Sequence, residues 1–214
     1  LDVLGRVLEV CTGQRLDELM RTRLLEPLGM NETTWFVDAA HAPRLSALYG
    51  AHPGTRKAMR IDAMDRGVLT EPKAHGGGGG LISTAHDYHR FTQMLLRGGE
   101  LDGVRILAPG TVRYMASNHL PGGVDLHAFG RPLFSETTFD GVGFGLGVSV
   151  TIDPVKARVP GSVGEFAWGG AASTAFWVDP VEEITALFFT QLLPSSTYNI
   201  RPMLKPLVYQ ALID

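Results

Sequence analysis

Residues 164–180 read GEFAWGGAASTAFWVDP, and this segment constrains the fold of the 214-residue chain more than any other. It contains two apolar runs of strand length, separated by Gly169 and Gly170 and closed by Asp179 and Pro180. Adjacent glycines in a strand pattern leave room for another group to approach the backbone. That group could be a partner strand, a helix, or a substrate that needs a main-chain N–H. Taken alone, a Trp-Gly-Gly step is most simply a tight bend between two hairpin strands.

Further apolar runs lie on both sides of this segment. Residues 143–150 alternate large apolar side chains with glycine or serine, a period of two that predicts a strand. Residues 184–191 form another apolar run, and residues 200–212 repeat apolar side chains at helical spacing. Because the connections between successive strands are short, we expect antiparallel pairing, with the C-terminal helix packed on the sheet.

Helical spacing dominates the N-terminal part of the chain. We expect one domain over residues 1–214, with residues 1–140 mainly helical and loop, and residues 141–214 forming antiparallel strands plus the C-terminal helix. The predicted helices cover residues 3–11, 16–24, 85–97 with Thr84 as N-cap, and 109–115; a hairpin is expected around Asp102 and Gly103, and long loops at 38–75, with one strand near 47–49, and at 121–136.

The composition is that of an ordinary globular protein, with 44% hydrophobic and 19% charged residues and a formal net charge of −3. Lysine and arginine are not clustered, so no nucleic-acid partner is expected. The longest apolar runs are far shorter than a membrane span, so none is predicted. Cys11 is the only cysteine, which excludes an internal disulfide. It lies on the apolar stripe of the first helix, where a core role is expected rather than catalysis.

No cofactor or metal is expected from the sequence. Gly76–Gly80 is the most biased segment, but a phosphate-binding loop would carry a lysine directly after its glycines, and here none follows. His86 and His89 share one helical turn without a third ligand or an HExxH pattern, which is a weak metal signal.

Five short motifs occur in a fixed order along the chain: DVLG with Thr12 and Gly13, EPLGM at 26–30, GGGGLISTA at 77–85, GFGLG at 143–147, and Trp168-Gly169-Gly170. In this order they resemble the serine β-lactamase and penicillin-binding-protein-like superfamily, in particular its class C-like esterase branch. The resemblance implies an α/β (α+β) fold of the β-lactamase/transpeptidase type, truncated at the N-terminus. In such a fold an antiparallel sheet is flanked by helices beside a helical region.

The resemblance also implies a chemistry. Members of this superfamily transfer acyl groups through a serine in a Ser-x-x-Lys helix, assisted by a tyrosine, while a strand edging the site offers a backbone N–H to the oxyanion. Carried onto this chain, Trp168, Gly169 and Gly170 would bind substrate, and the N–H of Ala171 would be one half of the oxyanion hole. The two glycines would let substrate reach that N–H.

The aromatic residue also bears on substrate class. Trp168 replaces a lysine found in β-lactamases, which argues against strong recognition of a β-lactam carboxylate and suits apolar acyl or alcohol groups. Arg158 or Arg201 could still supply positive charge. The expected partner is therefore a small-molecule ester or related acyl compound.

The catalytic motifs themselves are missing. No serine of the chain has a lysine three places on, no Tyr-x-Asn is present, and no Gly-x-Ser-x-Gly elbow occurs. In the superfamily these motifs precede the helix that begins near Asp2. We therefore expect a C-terminal fragment of a serine hydrolase that lacks its nucleophile, lysine and tyrosine, and is inactive alone.

A different function class stays open. The chain could be a catalytically dead module that keeps the cleft and binds a peptide or a small acyl ligand. The sequence leaves the oligomeric state undecided. It also leaves the compartment open, since a soluble chain could be cytoplasmic, periplasmic or secreted depending on a missing N-terminus.

Overall fold

A computed structural model describes residues 1–55, 57–61, 66–130 and 139–213 of the chain. Its α-helices are α1 (Asp2–Thr12), α2 (Leu16–Met20), which continues as a π-helix over Arg21–Leu25, α3 (Ala85–Leu96), α4 (Pro109–Met115), α5 (Leu126–Phe129), α6 (Pro154–Ala157) and α7 (Ile200–Tyr209). Its strands are β1 (Tyr49–Ala51), β2 (Ala58–Arg60), β3 (Glu100–Leu101), β4 (Val104–Arg105), β5 (Val142–Phe144), β6 (Ser149–Thr151), β7 (Phe166–Gly169), β8 (Ala175–Asp179), β9 (Ile184–Phe188) and β10 (Leu192–Leu193).

The main sheet has five strands in the order β5-β6-β7-β8-β9, and every neighbouring pair is antiparallel. This confirms the antiparallel pairing that the short connections predict. The β3–β4 hairpin is also confirmed, and Asp102 and Gly103 have the positive φ angles that a tight hairpin turn requires. The Thr84 side chain accepts a hydrogen bond from the Asp87 N–H at 3.2 Å, so the predicted N-cap of α3 is confirmed.

The prediction of one strand over residues 143–150 was wrong. The alternating pattern is divided into β5 and β6, which pair with each other across a turn. The Gly145 N–H donates to the Val148 carbonyl at 2.8 Å, and Gly147 has a φ of +92° that few other residues adopt. The glycines in this period-two pattern therefore mark a hairpin turn, as isolated glycines in a strand pattern often do.

The segment 38–75 contains more structure than a loop. Strands β1 and β2 pair antiparallel, and β10 adds to β1 in parallel, which makes a second sheet of three strands. The strand expected at 47–49 begins at Tyr49 instead. Residues 56 and 62–65 of this segment, and 131–136 of the predicted loop 121–136, lie outside the described residues.

The core lies between α3 and one face of the main sheet. Register pairs Phe166 with Val178 and Trp168 with Phe176, so these four side chains share a face by the alternation of strands. Phe166 and Val178 are buried there together with Met94 of α3. Trp168 stands at the margin of this face, and 38% of its surface remains exposed.

The C-terminal helix, α7, packs on the sheet as predicted and lies against its opposite face, but it ends at Tyr209 and not at residue 212. A Cβ atom at Gly169, whose position faces away from Trp168, would lie 2.4 Å from Nη2 of Arg201 on α7. At the other end of the helix, Lys205 and Tyr209 bond the carboxylate of Glu165, which immediately precedes β7.

The expectation of a core role for Cys11 was wrong within the described chain. Cys11 is exposed, and Gly5 is the buried residue of α1. The apolar stripe predicted for this helix is present but uncovered, with Val3, Leu4 and Val7 all exposed. Among the described residues, no helix has both the length and the apolar character needed to cross a bilayer.

Candidate functional site

The loop that follows the Trp-Gly-Gly step is a three-residue hairpin turn. Gly170 and Thr174 face each other at its base, where the Gly170 N–H donates to the Thr174 carbonyl at 3.1 Å. The Ser173 N–H donates to the Gly170 carbonyl, also at 3.1 Å. Ala171 and Ala172 have no positive φ, whereas Ser173 has a φ of +69°. This combination is a type I turn followed by a left-handed residue, a common hairpin of this length.

Ala171 is the first central residue of this turn. The N–H of such a residue points away from the hydrogen bond that closes the turn. Ala171 is exposed, and its N–H has no acceptor among the residues that the structure describes. The turn therefore presents one free backbone donor directly after Gly170. It is the N–H that the superfamily resemblance implies as an oxyanion-hole donor.

Trp168, three residues before Ala171 on the same hairpin, forms an aromatic wall. Its ring meets that of Phe144 edge to face, with centroids 5.2 Å apart and an interplanar angle of 73°. Such a geometry adds about 0.5–1.5 kcal/mol beyond the burial of apolar area. Phe144 comes from β5, two strands away from β7, so the pair links the edge of the sheet to the hairpin. Sequence reasoning did not select Phe144, although it belongs to the GFGLG motif.

The two glycines leave room for different neighbours. A Cβ atom at Gly169 would overlap the guanidinium of Arg201. A Cβ atom at Gly170 would lie 2.6 Å from the Thr174 hydroxyl, across the base of the turn. Of the three partners that the sequence left open for the glycine step, a helix is therefore the one that approaches Gly169. The Cβ position of Gly170 points into the hairpin.

Arg201 is the charged side chain that contacts the turn. Its Nη2 donates to the Gly170 carbonyl at 2.7 Å and to the Thr174 carbonyl at 2.8 Å, while its Nε donates to the Thr174 carbonyl at 3.2 Å. From the sequence, Arg201 was expected only as a possible positive charge for binding substrate. Arg158, the other cation considered, follows α6, and no contact joins it to the turn among the described residues.

The outer side of the turn is held by β10. The Leu192 N–H donates to the Ala172 carbonyl at 3.1 Å, and the Ser173 hydroxyl donates to the Leu192 carbonyl at 2.7 Å. Ser173 is 3% exposed. These contacts had no sequence signal, because β10 is short and Ser173 occupies a conformation usually taken by glycine.

This arrangement can bind but lacks a nucleophile of its own. The Ser173 hydroxyl is buried and bonded to a backbone carbonyl, so it is not paired with a base. Among the described residues, no group of three or more His, Cys, Asp or Glu side chains could hold a metal ion. What the site offers is a free amide donor, a guanidinium behind it and an aromatic wall.

Comparison with known proteins identifies the family of the chain. A family model described as Beta-lactamase matches residues 1–209. A protein of Mycobacterium tuberculosis is 37% identical over 198 residues, which cover 91% of this chain and 48% of that protein. The lovastatin esterase of Penicillium rubens is 30% identical over 191 residues, which cover 84% of this chain and 46% of the esterase.

Solved structures give the same fold. A mutant of simvastatin synthase (LovD) from Aspergillus terreus superposes with a TM-score of 0.81 at 21% identity, covering 98% of this chain and 54% of the synthase. The α/β architecture of the β-lactamase/transpeptidase type is thereby confirmed. The chain spans about half the length of the curated relatives it matches.

Proposed function

This chain belongs to the beta-lactamase family, and from that membership we propose that it supplies the oxyanion strand and the acyl pocket of a serine hydrolase that works by acyl transfer. Its substrates are carboxylic esters or related acyl compounds. The serine nucleophile, its lysine and its tyrosine come from residues outside these 214. The protein that contains both parts is called the longer protein below.

The free N–H of Ala171 is the observation that carries this proposal. In acyl transfer the carbonyl oxygen of the substrate becomes an oxyanion in the tetrahedral intermediate, and preorganised N–H groups about 2.7–3.1 Å away stabilise it. A donor bonded within the fold could not take this role. The Ala171 N–H has no acceptor in the described chain, and it stands on a turn that is anchored on both sides.

The chemistry of the nucleophile requires further residues. A serine hydroxyl is a weak nucleophile until a neighbouring base accepts its proton, which lysine and tyrosine do in the serine enzymes that this chain resembles. The absence of Ser-x-x-Lys from the sequence and the half-length match to relatives together support a nucleophile elsewhere. These residues alone should therefore bind acyl groups without turning them over.

The aromatic wall supports an apolar acyl or alcohol group as substrate. Trp168, on the hairpin that carries the amide donor, packs on Phe144 and leaves part of its ring exposed. A relative named as an esterase of lovastatin fits the same substrate class. Arg201 already donates to two carbonyls of the turn, so it supports the loop rather than standing ready for a substrate carboxylate.

The second candidate, a catalytically dead binding module, rests on the missing nucleophile alone. One experiment separates the two. The longer protein and residues 1–214 are each incubated with p-nitrophenyl butyrate, and release of p-nitrophenol is followed. We expect turnover by the longer protein that is abolished when the serine of its Ser-x-x-Lys motif is replaced by alanine, and none by residues 1–214. A longer protein without Ser-x-x-Lys and without turnover would instead favour the binding module.

A further inference from the structure

Arg201 contacts one end of a peptide unit whose other end is the N–H of Ala171. The carbonyl of Gly170 and the N–H of Ala171 belong to the same planar amide, in which the two groups point in opposite directions. The Gly170 carbonyl accepts from Nη2 of Arg201 at 2.7 Å and from the Ser173 N–H at 3.1 Å. Fixing this carbonyl therefore fixes the direction in which the Ala171 N–H points.

The guanidinium also changes the strength of that donor. Hydrogen bonds from a charged donor are shorter and stronger than neutral ones. A carbonyl that accepts such a bond is polarised, and hydrogen bonds in chain polarise one another. The Ala171 N–H, conjugated to this carbonyl through the amide, becomes a better donor to an oxyanion.

The absence of a side chain at Gly169 leaves the space that Arg201 occupies. The Cβ atom of any other residue at position 169 would stand 2.4–2.6 Å from three guanidinium atoms. The guanidinium would have to shift, which would break its hydrogen bonds to the Gly170 and Thr174 carbonyls. The first glycine of the Trp-Gly-Gly step is thus matched to an arginine on a different element, 32 residues later in the sequence.

Helix α7 holds the guanidinium in place because it is anchored at the end of β7 that lies opposite to the turn. Lys205 bonds Glu165 at 2.5 Å, and the Tyr209 hydroxyl lies 2.8 Å from Glu165 and 2.6 Å from Asp179. From Arg201 to Tyr209 the helix rises about 12 Å. From Glu165 to Gly169 the strand extends about 13 Å. The helix therefore spans the strand from its buried carboxylates to the turn.

We propose that Arg201 is a positioning residue for acyl transfer, which orients and polarises the Gly170–Ala171 peptide so that the Ala171 N–H receives the oxyanion. This role rests on the proposed function. It differs from a role in binding the acid group of a substrate, because Arg201 acts here through the backbone.

The test compares three variants of the longer protein. Arg201→Met removes the donors while keeping an unbranched side chain, and Arg201→Lys keeps the charge without the forked geometry. Arg113→Met is the matched control, since Arg113 is an exposed helical arginine of α4. Hydrolysis of a neutral p-nitrophenyl ester, and of one whose acyl group carries a carboxylate, gives kcat and KM for each folded variant.

We expect Arg201→Met to lower kcat about 10- to 100-fold, less than the roughly 10²–10³ that follows removal of an oxyanion donor. Its KM should stay within about threefold, because the lost interaction acts in the transition state. The kcat of Arg201→Lys should lie between those of Arg201→Met and the unsubstituted protein, and Arg113→Met should have the kcat of the unsubstituted protein. An unchanged kcat in folded Arg201→Met would overturn the proposal. So would a rise in KM confined to substrates that carry a carboxylate.

A readout that needs no activity separates this proposal from the function on which it rests. The Ser173 amide shares the Gly170 carbonyl with Arg201, so its hydrogen exchange, followed by NMR, should accelerate about tenfold or more in Arg201→Met and stay unchanged in Arg113→Met. A longer protein without hydrolase activity would sink the proposed function. Unchanged exchange would sink the role of Arg201 on its own.

Discussion

Trp168 is the side chain through which this site would distinguish one acyl group from another. It lies on the core face of β7 but at its margin, so its ring packs on Phe144 on one side and stays partly exposed on the other. It donates no hydrogen bond among the described residues, so its contribution to selectivity is one of shape.

Replacing Trp168 by alanine should therefore change acyl preference more than turnover. In the longer protein we expect Trp168→Ala to raise kcat/KM for p-nitrophenyl octanoate relative to the acetate by about tenfold, the usual scale for changes in an apolar pocket. The control is Tyr114→Ala, which removes an exposed ring that packs on His119. An unchanged ratio in Trp168→Ala would show that this ring does not line the acyl pocket.

The surroundings of Gly170 make it a poor position for testing the oxyanion donor by mutation. The sequence suggests that a side chain there would block substrate. The first atom of such a side chain would instead meet the Thr174 hydroxyl, which also accepts from the Gly170 N–H at 3.1 Å. A substitution at Gly170 thus disturbs the turn itself. Ala171 is the cleaner position, because proline fits the first central residue of a type I turn and removes the N–H.

At the level of elements, α7 joins the hairpin through a buried group of charges. Glu165 and Asp179 are 1% and 0% exposed, and both contact the single hydroxyl of Tyr209. Burial raises the pKa of Glu165 above its ordinary value of 4.5, although Lys205 opposes this. Burial also acts to raise the pKa of Asp179, but hydrogen bonds from Tyr209, from backbone amides and from Ser162 outweigh it and leave that pKa lowered.

The raised pKa of Glu165 predicts how stability depends on pH. The folded protein holds this proton to a higher pH than the unfolded chain does, so the free energy of unfolding should fall as pH rises from about 4.5 to the folded pKa. The slope from this group is at most about 1.4 kcal/mol per pH unit. Urea unfolding of the longer protein across this range measures it.

In Glu165→Gln this part of the slope should disappear, whereas Glu183→Gln, at an exposed position, should keep it. Identical slopes in Glu165→Gln and the unsubstituted protein would mean that Glu165 ionises normally in the fold.

At the level of the whole molecule, the sequence predicted more of the architecture than of the site. Period and connection length were sufficient for the antiparallel sheet, for α3 with its cap and for α7, because these signals are local. The division of 143–150 was missed, since alternating glycines fit a strand and a hairpin equally well. The pairing of β10 with β1 was missed because it joins residues about 140 positions apart.

The site could be predicted only where a motif marked it. Trp168, Gly169, Gly170 and Ala171 form one hairpin in the structure, as a contiguous motif must. The guanidinium of Arg201 was not predictable as a support for the turn, because nothing local links residue 201 to residue 170. For α1 the pattern identified an apolar face but not what covers it, and in the described chain Leu4 and Val7 on that face are exposed.

The central claim is that the Ala171 N–H serves acyl transfer at a serine outside residues 1–214. The direct measurement is the rate at which a fluorophosphonate labels the longer protein, with the labelled residue identified by peptide mass mapping. We compare the unsubstituted protein with Ala171→Pro, which lacks the N–H, and Ala171→Ser, which keeps it. The account predicts a label on the serine of Ser-x-x-Lys, slowed by about 10²–10³ in Ala171→Pro and within a few-fold of normal in Ala171→Ser. Labelling of folded Ala171→Pro at the normal rate, or a label on a serine within residues 1–214, would contradict it.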